Sequence, residues 1–82
     1  PSIIITDEIE NNIKYLLQEQ NEKQITIEVH PFVQAFLTKG MLSSVRSKWQ
    51  RKFGRKIIVN KNSNFHFLEY HFYDKNGEEL KI

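Results

Sequence analysis

Ile25-Thr26-Ile27-Glu28-Val29-His30-Pro31-Phe32-Val33-Gln34-Ala35-Phe36-Leu37 decides the fold, because its apolar period changes from strand-like to helix-like across one peptide bond. Ile25, Ile27 and Val29 alternate with Thr26 and Glu28, the pattern of a half-buried strand. Pro31 has a fixed φ and no N–H, which suits the first turn of a helix and interrupts a strand. His30, as the residue before proline, is pushed into the extended region, so the break falls at His30-Pro31. Phe32, Val33, Phe36 and Leu37 then recur at helical spacing, and Lys39-Gly40 supplies a basic last turn and a stop after a helix of about Pro31–Thr38.

On the N-terminal side, Ile9, Ile13, Leu16 and Leu17 fall on one face and predict an amphipathic helix from about Asp7 to Gln20. Ile3 to Ile5 reads as an apolar lead-in, with Thr6 or Asp7 as the cap and Asp7-x-x-Glu10 at capping-box spacing. On the C-terminal side, Leu42, Val45, Trp49 and Phe53 share a narrow arc, so a third helix is expected from Met41 or Leu42 to Phe53, closed by Gly54. Ile57 to Val59 reads as a short buried strand and Asn60 to Asn64 as a polar loop. Phe65 to Tyr73 reads as a long aromatic strand, with Leu68, Tyr70 and Phe72 on one face and Phe67, Glu69, His71 and Tyr73 on the other. Asp74 to Gly77 is a hairpin turn, after which Leu80 and Ile82 pair back. The expected class is α+β in the order α-β-α-α-β-β, a small antiparallel or mixed sheet with helices packed on one face.

The chain has 82 residues, the length of one small domain, for which a stability of about 4–12 kcal/mol is usual. Six Phe, three Tyr and one Trp can build its core unaided. There is no cysteine, which removes disulfides and thiolate metal ligands and fits a reducing, cytoplasmic setting. No apolar run is long enough for a membrane span or a signal-peptide core. The opening Pro1-Ser2-Ile3 lacks an initiator Met, so a processed start or a piece of a longer protein is expected. The net charge of +2 conceals a strong polarity: residues 39–61 hold eight cations (Lys39, Arg46, Lys48, Arg51, Lys52, Arg55, Lys56, Lys61) and no acid, while residues 7–28 hold six acids and two lysines.

Catalytic chemistry finds no footing in this pattern. His66 and His71 lie an odd number of residues apart on the expected strand, which sends them to opposite faces, and His30 reads as a junction residue bonding locally. Ser43, Ser44 and Ser47 sit in or beside a helix without a strained elbow, and a capping role suits Ser43 or Ser44 better. The three glycines all lie at element ends, so no phosphate loop is present. No small-molecule cofactor is expected. The stretch with functional content is Arg46 to Lys56, where six cations alternate with Trp49 and Phe53. The rings share the core arc, so they are expected inside, and the charge wraps the helix. Both a solvated helix face and an RNA contact fit that arrangement.

Several segments together carry a family resemblance: Pro1 to Ile13; Val29-His30-Pro31-Phe32-Val33 with Phe36 and Lys39-Gly40; Lys48-Trp49-Gln50 before Phe53-Gly54; Phe67-Leu68-Glu69-Tyr70; and Phe72-Tyr73-Asp74-Lys75 with Gly77. In this order the chain resembles the C-terminal small domain of ribonuclease E/G-family endoribonucleases, in the version typical of Bacteroidetes-type bacteria. The resemblance implies a parent enzyme that cuts single-stranded RNA with magnesium at a carboxylate site and joins subunits through a cysteine zinc link. Both features would lie outside this fragment, which would be a non-catalytic module for oligomerisation or for contact with the rest of the nuclease. The β-α-α-β segment from Ile25 to Val59 is also similar to a KH-type RNA-binding domain, although Thr38-Lys39-Gly40-Met41 has one glycine where that family has Gly-x-x-Gly. A protein-interaction domain with Phe65, Phe67 or Tyr73 exposed is the third option.

Overall fold

The computed structural model describes residues 2–82, so Pro1 and the expectation attached to it lie outside the described part. Helix α1 spans Ser2–Gln18, strand β1 Gln24–Val29, helix α2 Pro31–Thr38 and helix α3 Val45–Phe53. Strands β2 (Lys56–Lys61), β3 (Tyr70–Tyr73) and β4 (Glu79–Leu80) complete the described elements. The sheet is mixed, in the order β2-β1-β3-β4. β1 and β2 are parallel with Ile25 opposite Ile57 and Ile27 opposite Val59, and the other two pairings are antiparallel. The α+β class, the mixed sheet and the helical layer agree with the sequence reading.

The strand-to-helix break falls where proline puts it. His30 is extended (φ −60°, ψ 148°) and its Nδ1 accepts the Phe32 N–H at 3.0 Å, which caps α2 locally. Ile25, Ile27 and Val29 turn into the core with Ile57, Val59 and Phe72, while Thr26 and Glu28 face the side of the sheet that carries no helix. Val33 and Leu37 are the buried stripe of α2; Phe32 (73% exposed) and Phe36 stay outside, so that helix seats a narrower face than its apolar content predicts.

Five boundaries differ from expectation. α1 starts at Ser2, a full turn early, because Ile5 continues the buried row of Ile9, Ile13 and Leu16; Asp7 and Glu10 are therefore mid-helix and form no capping box. The third helix starts late: Met41–Ser43 is one 3-10 turn, and Ser44 caps α3 by accepting the Ser47 N–H at 3.1 Å. Leu42 consequently leaves the core arc and is 81% exposed. The aromatic strand is only Tyr70–Tyr73, with Phe65 to Glu69 in turns, so Leu68 is exposed and His66 sits off the sheet. β2 runs on through Asn60 and Lys61, and β4 stops at Leu80, leaving Ile82 exposed.

One carboxylate ties the helical layer together. Glu10 of α1 accepts the indole N–H of Trp49 at 2.8 Å and the ammonium of Lys52 at 2.6 Å, both from α3. These bonds, Lys52 first and Trp49 second, hold the Glu10 carboxyl below its ordinary pKa. On the other side of α1, the Tyr70 hydroxyl donates to Glu8 at 2.6 Å and accepts from Asn12 at 2.9 Å; burial, then the Glu8 bond, push its pKa up to about 12. Trp49 is 2% exposed, as its place on the apolar arc requires. Trp49→Ala is expected to destabilise the domain by about 3–5 kcal/mol, read from urea denaturation; a midpoint that barely moves would mean the ring contributes little to the core.

Candidate nucleic-acid interface

The strand order makes β2 an edge strand, and the α2–α3 turn lies beside it. That turn is tight: Gly40 (φ 92°) and Met41 (φ 48°) are both left-handed, a conformation that costs a side chain at Met41 and leaves it 81% exposed. A Cβ on Gly40 would come within 2.9 Å of the Ser43 hydroxyl, so the glycine also serves close approach. The three serines of this region are spent on backbone: Ser43 Oγ donates to Gly40 O, Ser47 Oγ to Met41 O at 2.7 Å, and Ser44 caps α3. None is placed as a nucleophile.

The eight cations separate into two groups. Arg46 Nη1 donates to Ile57 O at 3.2 Å and to Gln50 Oε1; Arg51 Nη1 donates to Leu42 O at 2.9 Å; Lys52 pairs with Glu10; Arg55 Nε donates to Glu22 O at 3.3 Å and its Nη1 to Phe53 O. These four fasten the turn, the edge strand and the end of α3. The side chains of Lys39, Lys48, Lys56 and Lys61 are exposed and make no bond to another described residue. Lys39 lies beside the turn, and Lys56 and Lys61 stand at the two ends of β2.

Between the turn and β2 lies an open groove of about 410 Å³, lined by Thr38, Met41, Leu42, Arg46, Ile58 and Val59. Its single guanidinium, Arg46, belongs to the basic stretch, while its apolar walls come from positions that sequence spacing assigned elsewhere: Leu42 to the core arc and Ile58 to a buried strand. The one signal for it was a pair of large apolar residues directly after a glycine stop.

The opposite, helix-free face of the sheet is acidic. The His71 ring stands between Glu79 (Nδ1, 2.8 Å) and Glu69 (Nε2, 3.0 Å), and Glu28 accepts from Tyr73 Oη and Asn62 Nδ2, both at 3.0 Å. Both His71 nitrogens are thus committed to carboxylates and His30 Nδ1 to its own helix, and among the described residues no cluster of three His, Cys, Asp or Glu is placed for a metal. The magnesium and zinc of the resembled enzymes do not fit this donor set. A separate apolar strip runs over the described surface: Ile4 and Leu68 line a shallow hollow, Phe67 meets His30 at 5.6 Å, and His30 meets Phe32 at 5.2 Å. Of the aromatics expected to be exposed, only Phe67 belongs to it; Phe65 packs edge-on against His71, and Tyr73 is bonded to Glu28.

Among the described residues, no helix is long and apolar enough to cross a membrane. No family model, no curated protein and no solved structure matches the chain.

The bond to Glu69, then that to Glu79, raises the pKa of His71 above its ordinary 6.5. A raised folded-state value means that its stabilising effect is complete below the unfolded pKa and is lost as pH rises through the folded one. The urea midpoint is therefore expected to fall as pH rises from below the ordinary 6.5 to above it, and His71→Gln to flatten that fall; an unchanged profile in the variant would assign the pH dependence to other groups.

Proposed function

We propose that this domain is a non-catalytic module of a cytoplasmic, RNA-processing endoribonuclease of the E/G type, and that it holds RNA along the turn and the β2 edge. The observation that carries the RNA contact is the set of four lysines, Lys39, Lys48, Lys56 and Lys61, with no partner among the described residues, in a stretch without a single acid. Exposed unpaired ammonium groups bind phosphates by releasing counterions, without geometric demands. Arg46, Arg51, Lys52 and Arg55 contribute to the same field while their bonds hold the surface in shape. The nuclease assignment is supported by the order of the resembling segments. The apolar strip from Ile4 to Phe32 suits contact with the rest of the nuclease or self-association.

A second reading, a free-standing KH-like module, is favoured by one observation: β1 and β2 are parallel neighbours joined by two helices and a tight turn. The gene's reading frame upstream of the codon for Pro1 separates the two. A nuclease domain with an acidic metal site encoded there supports the first, and a native product starting at Pro1 would favour the second.

The RNA contact is tested by changing the four unpaired lysines to Gln and measuring single-stranded RNA binding between about 50 and 200 mM salt. The slope of log affinity against log salt is expected to flatten by about 2–3, with the melting temperature unchanged because these side chains bond to nothing. The same affinity and slope in the variant would remove RNA from the account.

A further inference from the structure

We propose that the groove between the α2–α3 turn and the outer edge of β2 receives an unstacked base of single-stranded RNA, whose phosphates run past Lys39, Lys56 and Lys61. The inference rests on the RNA reading above and adds to it a site for the base itself.

The edge backbone supplies the first argument. Asn62 N–H donates to Val29 O at 2.8 Å. In a parallel ladder alternate residues turn both backbone groups to the neighbour, so Ile58 and Asn60 face β1, and Ile57, Val59 and Lys61 face outward. The outward groups of Ile57 are already taken: its N–H donates to Gln50 Oε1 at 2.9 Å and its C=O accepts from Arg46. Those of Val59 come next, at the wall of the groove, and no described side chain bonds to them. One N–H and one C=O, side by side, match the adjacent acceptor and donor on the edge of a planar base.

The walls supply the second. Met41 and Leu42 are each 81% exposed at the end of a turn that Arg51 fixes by its bond to Leu42 O. With Ile58, they line the groove with apolar surface that an inserted ring can contact. Arg46 spends only Nη1 on the fold, leaving Nε and Nη2 to donate to base oxygens or nitrogens. A groove of about 410 Å³ lies in the range usual for ligand sites.

Charge and edge length together select RNA over a peptide. A peptide adding a strand needs a run of free edge groups. Gln50 and Arg46 close that run at Ile57, leaving only Val59 and Lys61. The cationic rim, with no acid from residue 39 to residue 61, matches a polyanion.

The test compares labelled decauridylate with an abasic ribose-phosphate oligomer of equal length, on the unaltered domain and on the double variant Met41→Ala, Leu42→Ala. The unaltered domain is expected to prefer decauridylate about tenfold. The double variant should lose that preference and keep its salt slope. Its fold should survive, because both side chains are exposed. In the amide spectrum, the Val59 N–H should shift with decauridylate and stay fixed with an extended neutral peptide. Equal affinity for the two oligomers, a double variant that keeps the preference, or a Val59 shift with the peptide alone would each overturn the base site. If the lysine variant still shows its flattened slope in that case, the RNA reading survives without the groove. No affinity for either oligomer would sink both.

Discussion

The parallel pairing of β1 with β2 is the constraint from which the rest follows. Parallel neighbours cannot be joined by a hairpin, so the chain must leave β1, cross one face and re-enter at the same end of the sheet. Here the crossing is made by α2, a 3-10 turn and α3. That path confines both helices to one side, buries Ile25, Ile27, Val29, Ile57 and Val59 beneath them, and leaves β2 with no further strand. It also brings the turn between the helices to the rim of the open edge. The groove is thus a by-product of topology, and the residues lining it are distant in sequence because the crossing separates them.

The basic stretch acquires its meaning from the same geometry. Read as a line of letters, Arg46 to Lys56 is uniform in charge, and nothing distinguishes a structural guanidinium from one available to a ligand. In space the three arginines and Lys52 reach backbone carbonyls or Glu10, as long side chains with several donors can. The unpaired cations are all lysines, compact charges that bind phosphate as points. Arginines brace the surface and lysines meet the solvent. Glu10 deepens the division, since its carboxylate neutralises Lys52, whose side chain stays largely exposed, and takes the N–H of the buried Trp49.

What the sequence made legible was whatever depends on near neighbours. The His30-Pro31 break, the span of α2, the left-handed stop at Gly54 and the turn at Asp74 to Gly77 are local, and each stands where its residues put it. The errors arose where distant packing outweighs local preference. Three consecutive β-branched residues from Ile3 to Ile5 favour extension, yet Ile5 reaches the core and the helix extends over them. Phe65 to Glu69 alternate well enough for a strand but lie in turns, because β1, with six residues, offers only Thr26 to Val29 to β3. Leu42 matched the helical arc of Trp49, but Ser44 interposed a cap and reset the phase. The groove's one signature was the apolar pair after Gly40: its walls otherwise look like core in a sequence, and only topology turns them outward.

The polarity of the charge then fixes how an anion can approach. Across the sheet, β2 ends in Lys56 and Lys61, while β4 carries Glu79 and the adjoining face holds Glu28 and Glu69. His71 spans Glu69 and Glu79 and offsets part of their charge, less so as pH rises and it loses its proton. A polyanion is therefore attracted at one rim of the sheet and repelled at the other, which aligns it with the β2 edge before any close contact forms. The helix-free face, open and broad as it is, disfavours a polyanion at neutral pH, and the narrow rim is the surface that sets exposed cations beside free backbone groups. In a domain whose net charge is only +2, the separation of opposite charges, more than their total, determines which surface attracts an anion.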